Sequence, residues 1–417
     1  MYGNLVRYGI ATIGPIGTAG AQFLLSFLML HLQDAQDFGR FSFLLITLQF
    51  CWGVWTALFC APLAVVFHEA ESRRDERLAA MTVGNLLGAV AAGGLFMIIG
   101  IIVGMAAAPS AIFGAYAGLS LLRWYARAEA YVLGAPMRTM VSDMLYALVL
   151  LAGCALLPFA GGHLFALVCA TLALAALAGL APFGRRYWHD QFLRPRWASL
   201  PAYRDIWRMH ARWSLLGVAT TEATANAHVY LVTILLGPAA FAPIAASSLM
   251  IRPMMVAMNA LTEYERPRMA AHIGAGAEGE AWASLRLFRA ILLLGWLLSL
   301  VAVALLFAWD PALVFPSHYD PLMLAVASGL WMLVAAIRAG RIPGSALLQA
   351  AGAFRPLAFA SIWSAAISVV AVLALIAAAG PVASIAGVLL GEAIFAFAVG
   401  RTLRDRAAKR KSALCPS

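Results

Sequence analysis

"LQDAQDFGRFSFLLI" at residues 32–46 returns as "LLGPAAFAPIAASSL" at residues 235–249, with Phe38 answering Phe241 at an offset of 203 residues. Each copy leaves one long apolar run and enters the next, so the repeated unit is a pair of hydrophobic segments with its turn. A second match, "RWYARAEAYVLGAPMRTMVSDML" at 123–145 with "RAGRIPGSALLQAAGAFRPLAFASIW" at 338–363, aligns Arg138 with Arg355 at an offset of 217. Most of the drift between the offsets fits the connection 309–320, which is longer than its counterpart at 108–109. The chain therefore reads as a duplicated half.

The solvent of these halves is lipid. Of 417 residues, 63% are hydrophobic and 12% charged, and the mean hydropathy is +0.86. A bilayer core of about 30 Å needs roughly 20 helical residues per crossing at about 1.5 Å each. Twelve segments satisfy this, at 5–30, 41–67, 79–107, 110–133, 140–160, 163–183, 212–236, 239–262, 286–308, 321–340, 356–379 and 381–402. The first is too long for the core of a signal peptide and is expected to stay as a helix. The expected fold is all-α and integral to the membrane, with about twelve transmembrane helices in two six-helix halves. An even number per half gives both the same orientation, related by a pseudo-twofold axis along the membrane normal.

Residues 1–183 form the first half, 184–211 a basic cytoplasmic linker, 212–402 the second half and 403–417 a basic tail. Within the linker, Tyr203, Ile206, Trp207, His210 and Trp213 recur at helical spacing between arginines, which predicts a helix at the interface. Lys and Arg collect in the even-numbered connections, whereas the odd ones hold Arg40 and the acids Asp34, Asp37, Asp310 and Asp320. The positive-inside rule then places both termini in the cytoplasm. The net charge of +10 follows that rhythm. It predicts attraction to anionic membrane lipids and not nucleic-acid binding. Cys51, Cys60, Cys154, Cys169 and Cys415 show no ligand spacing, and His31, His163 and His318 are too scattered to suggest a metal set.

The stretch "DFGRFSFLLITLQF" after a glycine-rich first helix resembles the Wzx-type polysaccharide flippases of the multidrug/oligosaccharidyl-lipid/polysaccharide (MOP) exporter superfamily. So do "WSLLGVATTEATANAHVYLVTILLGPAAFAPIAASSLMIRPMMVAMNALTEYERPRMA" and the closing "GPVASIAGVLLGEAIFAFAVGRTLR". The resemblance spans nearly the whole chain and implies alternating access of two helical bundles. It implies that the substrate is an undecaprenyl-diphosphate-linked oligosaccharide, moved across the bacterial inner membrane for surface polysaccharides such as O-antigen or exopolysaccharide. Glycosyltransferases and a polymerase of the same pathway are the implied partners. Lipid II flippases, in the same resemblance, carry an arginine one turn before Arg252, where this chain has Ser248, and two further C-terminal helices that this chain lacks.

Charges inside spans stand out. An arginine at mid-bilayer costs about 2.5–3.5 kcal/mol on insertion scales, so such residues face a bundle interior or a wet cavity. Arg252, beside Pro253 in the eighth span, is the leading candidate to pair with a diphosphate, the alternative being an ion pair with Glu222. Arg123 and Arg127, at i and i+4 in the fourth span, and Arg7 in the first are further cavity candidates, with Arg338 and Arg341 as second-half equivalents of topological character. Gln49, Trp52, Thr56 and Phe59, flanked by Trp55, fall on one helical face suited to glycan contact or to packing. Glu222 and Glu392 are candidates for proton or sodium coupling, and no other cofactor is expected. Asp143 is expected at the interface.

Two other classes compete. A drug or small-molecule antiporter of the same architecture would share these features. A membrane polymerase or ligase would need a sizeable outer loop bearing catalytic groups, but the largest, "WDPALVFPSHYD", is about a dozen residues, and no catalytic constellation is found.

Overall fold

The computed structural model describes the backbone of residues 2–67, 71–193 and 195–414, and the side chains among these except 2–13, 64, 71, 72, 213, 354 and 409–414. Every regular element among the described residues is helical. The chain divides into two compact units, Met1–Ala219 and Thr220–Ser417.

In the first unit, α1 (Tyr2–Leu32), α2 (Ala35–Trp55) with its continuation α3 (Ala61–Val66), α4 (Glu71–Ile102), α5 (Ala107–Val132), α6 (Pro136–Leu156) and α7 (Leu164–Leu180) supply six long helical segments. The linker adds the short α8 (Gly184–Trp188) and α9 (Tyr203–Ile206). The second unit contains α10 (Arg212–Leu236, which crosses the division), α11 (Pro238–Ser248) with its continuation α12 (Arg252–Gly274), α13 (Glu278–Trp309), α14 (Pro321–Ala350), α15 (Phe354–Ala379) and α16 (Ser384–Leu414). Ten helices among the described residues are long and apolar enough to cross a membrane. The remaining two of the expected twelve, α5 and α10, are 26 and 25 residues long and carry the arginine pair and the Glu222, Asn226 and His228 series.

Packing follows from small residues and capped ends. Gly93 and Gly114 let α4 and α5 approach so closely that a Cβ on Gly114 would lie 2.4 Å from the Gly93 carbonyl oxygen. On the lipid side, α13 exposes Leu287, Leu294, Leu298 and Leu305, an apolar face that water would penalise. Three acids of the odd connections are caps: Asp34 accepts from Asp37 N at 2.7 Å, Asp310 from Ala312 N at 2.9 Å and Asp320 from Leu322 N at 3.1 Å. Arg40 is tied to Asp37 at 2.7 Å and donates from Nε to Val103 O at 2.8 Å. Gly104, at φ +88, makes room for that guanidinium.

Two spans are interrupted, each at a proline. In the second span a π turn, Thr56–Cys60, separates α2 from α3. Pro62 has no N–H for its helical acceptor, Leu58 O, and that carbonyl instead accepts the Tyr203 hydroxyl at 2.8 Å. Burial pushes the Tyr203 phenol up, so it stays protonated and able to donate. Tyr203 belongs to the linker, and from that residue the helix runs through a π turn, Trp207–Ala211, into α10 without a break. A second linker contact reaches α4: Trp55 Nε1 donates to Asn85 Oδ1 at 2.7 Å, Asn85 Nδ2 to Gln191 Oε1 at 3.1 Å, and Gln191 Nε2 to Thr82 O at 2.9 Å. Tyr203→Phe should lower stability by about 0.5–1.5 kcal/mol, the net worth of a hydrogen bond between half-buried groups. Pro62→Ala in the same chain should recover part of that by restoring an N–H at position 62. Equal denaturation midpoints for wild type and Tyr203→Phe would contradict this account.

Candidate functional site

The first unit encloses an ion-pair clamp. Arg123 and Arg127 lie one turn apart on α5, and both reach Asp143 on α6: Arg123 Nη2 pairs with Oδ1, and Arg127 Nη2 with Oδ2 at 2.9 Å. Asp143 is 1% exposed, enclosed by the surrounding helices. α6 starts at Pro136, two residues after the positive-φ Gly134, so Asp143 stands about 10 Å along the helix. Arg123 Nε donates to Ser142 Oγ at 2.9 Å, and Ser142 donates to Gly179 O at 2.6 Å. Glycines clear the approach, since a Cβ would come within 2.7 Å of Asp143 at Gly14 on α1 and within 2.5 Å of Arg123 at Gly179 on α7. Helices α1, α5, α6 and α7 therefore meet at the clamp. The Arg123 guanidinium also covers the Tyr146 ring at 4.5 Å, and Tyr146 OH shares hydrogen bonds with Gln22 and Tyr116.

Beside the clamp stands an aromatic pair. Trp52 and Trp124 stack at 5.3 Å with 7° between planes. Trp52 Nε1 donates to Ser120 Oγ at 2.8 Å and Trp124 Nε1 to Thr56 Oγ1 at 2.9 Å, which locks both rings. Arg127 lies over Trp124 at 5.2 Å. Gln49 and Thr56 are exposed on this side of α2. Phe59 is not part of that face. The π turn changes the helical register, and both Trp55 and Phe59 turn inward, Phe59 against Tyr125 and Tyr203.

The second unit has a matching clamp built differently. Arg338 and Arg341 on α14 both hold Glu392 on α16, Arg338 Nε to Oε1 at 2.8 Å and Arg341 Nη2 to Oε2 at 2.9 Å. The arginines are equivalent by the repeat, but the acid comes from the fifth span in one unit and the twelfth in the other. Arg341 also covers Phe395 at 4.2 Å. Arg338 and Arg341, expected to be topological, are thus held within the helix packing, with Arg338 8% exposed. Each clamp sets two guanidiniums against one carboxylate. Taken alone, each leaves one positive charge in excess, in a setting where charge is costly.

Arg252 sits where the eighth span breaks. Residues Leu249–Ile251 form a 3₁₀ turn between α11 and α12, and Arg252 opens α12. Pro253 cannot donate to Leu249 O, so the Arg252 N–H takes that carbonyl in the tighter i→i+3 bond. From Pro238 the position is about 20 Å along a core of about 30 Å. Glu222 on α10 is held by its own helix: Oε1 accepts from Asn226 Nδ2 and Tyr230 OH, both at 3.0 Å. Serines and threonines stitch α10 to α15 and α15 to α16, as in Ser361 to Thr220 at 2.9 Å and Ser364 to Gly391 O at 2.8 Å. His228, which no spacing singled out, is buried on α10 against Trp331 at 5.3 Å, and its Nδ1 has no hydrogen-bond partner among the described residues. The side chain of Arg7 lies outside the described residues.

This architecture is that of an all-α fold with helices of membrane-spanning length. No protein-family model matches the chain, and no curated protein matches it in sequence. Among solved structures it is similar to an inward-facing multidrug-resistance MATE family transporter of the MOP superfamily, with a TM-score of 0.66 at 13% identity over 97% of this chain and 99% of that one. It is similar to the lipid II flippase MurJ in an inward closed conformation, with a TM-score of 0.72 at 10% identity over 96% and 87%. An outward-facing MATE transporter matches with a TM-score of 0.59 at 15% identity over 98% and 96%. The chain has the fold that these MATE transporters and MurJ share.

Proposed function

We propose that the protein is a flippase for a polyprenyl-diphosphate-linked oligosaccharide, working by alternating access in the bacterial inner membrane to supply surface polysaccharide. The observation that carries this reading is the arginine at the broken eighth span. A guanidinium deep in a span suits an anionic group crossing a low-dielectric region and disfavours a cationic drug. Trp52, held by its stack on Trp124 and with Gln49 on the same side of α2, would offer an apolar ring and a hydrogen-bonding group to the sugars.

Coupling falls to Glu222 rather than Glu392. Each oxygen of Glu392 is taken by a guanidinium, whereas Glu222 is held by neutral donors from which it can exchange a proton or sodium ion. Glycosyltransferases would load the lipid on the cytoplasmic side and a polymerase would use it after transfer. Loss of the protein should leave assembled repeat units on the cytoplasmic leaflet. Normal delivery of those units in a clean deletion would remove this reading, and export of an organic cation from proteoliposomes would replace it with a drug antiporter.

A further inference from the structure

The second clamp leaves one guanidinium edge poorly matched. Glu392 fixes Arg338 through Nε, and the Nη1 of the same guanidinium points at the thioether of Met255, 3.7 Å away. A thioether sulfur is a weak acceptor, and a buried arginine N–H gains far more from an anionic oxygen. Met255 lies three residues after Arg252 on α12, so the two side chains share a helix face. Both are half-buried, and Asn259, one turn further along, is exposed. Met255, on the face of α12 that carries Arg252, is thus a flexible side chain set against the Nη1 edge of Arg338. Methionine has three rotatable side-chain bonds and repacks at low cost.

We propose that Met255 is a displaceable cover and that Arg338 behind it is a second guanidinium for a diphosphate, so that Arg252 and Arg338 together bind the two phosphoryl groups. The ligand class is a diphosphate monoester or diester on a prenyl chain, and this inference rests on the flippase reading for its substrate. Glu392 is the positioning residue: by holding Nε and the second arginine, it leaves Nη1 free to serve the ligand. Arg341, whose Nε and Nη2 both go to Glu392, is committed to the clamp.

The test is direct binding of farnesyl diphosphate to the purified full-length protein in detergent micelles, with inorganic pyrophosphate in a parallel arm. Met255→Glu places a tethered carboxylate on Arg338 and should weaken farnesyl diphosphate binding at least tenfold. Met255→Gln should weaken it by a smaller factor, and Met255→Leu, which removes the acceptor but keeps the volume, should bind as well as wild type or better. All three are to be compared at equal thermal stability, and Met255→Gln carries the test if Met255→Glu does not fold. Unchanged binding by Met255→Glu or Met255→Gln would overturn the proposal. So would a loss in Met255→Leu equal to that in Met255→Glu, which would mean packing rather than competition. Pyrophosphate binding as tight as farnesyl diphosphate would reject the lipid-linked ligand in favour of a free anion. Failure here with wild-type transfer intact would leave the flippase reading standing, whereas absence of transfer would remove that reading by itself.

Discussion

Arg252→Ala is expected to abolish transfer of a lipid-linked oligosaccharide in proteoliposomes while the protein remains in the membrane at its normal level. A guanidinium deep in a span is suited to meet the doubly charged group of the proposed substrate, which water cannot solvate there. Arg252→Lys keeps the charge but loses the planar fork, so it should retain partial activity. Losing one charge-assisted hydrogen bond is worth about 1.5–3 kcal/mol, roughly a ten- to hundredfold drop. The fold should survive both changes, because the break at Leu249–Ile251 is set by Pro253 and the backbone N–H of residue 252, which any non-proline residue supplies. Glu222 gives a control. If Arg252 served only to balance that carboxylate, Arg252→Ala with Glu222→Ala should transport normally, and such rescue would reject the substrate role. The hydrogen bonds from Asn226 and Tyr230 to Glu222 argue for no rescue.

Asp143→Ala should be the most destabilising single change in the first unit. It strands Arg123 and Arg127 within the packed helices, and removing one partner of a buried pair costs about 3–5 kcal/mol. Detergent-solubilised protein should show a large fall in its thermal midpoint, with aggregation on size-exclusion chromatography. Replacing all three residues together, Arg123→Met, Arg127→Leu and Asp143→Leu, should restore most of the stability, since apolar residues of similar volume often match a buried ion pair. An Asp143→Ala variant within about 1 kcal/mol of wild type would show that the clamp is not a net stabiliser. Transport in the triple variant separates two roles: normal transfer would assign the clamp to structure alone, and stable but inactive protein would assign the excess charge of Arg127, beside Trp124, to the substrate.

Much of this could be read from residue order because the bilayer imposes simple rules. Hydropathy and length predict helices of the right size, the repeat predicts two similar halves, and an arginine beside a proline in an apolar run marks the broken eighth span. The π turn was not legible, although Pro62 signals trouble, because its shape depends on Tyr203 arriving from a segment some 140 residues away. That turn is what removed Phe59 from the face shared by Gln49, Trp52 and Thr56.

What the sequence determined by itself is the class of fold, the positions of most helices and the presence of charges that lipid would not tolerate unpaired. What the tertiary structure alone decided is which charges meet. Arg123 and Arg127 are joined by Asp143 from the next helix, while their counterparts Arg338 and Arg341 are joined by Glu392 from the last one. Periodicity places a side chain on a face of its own helix but carries no information about which neighbour that face packs against. In a low-dielectric interior an ion pair is settled by an approach of a few ångströms between helices, and glycines such as Gly14 and Gly179 permit that approach only in the folded bundle.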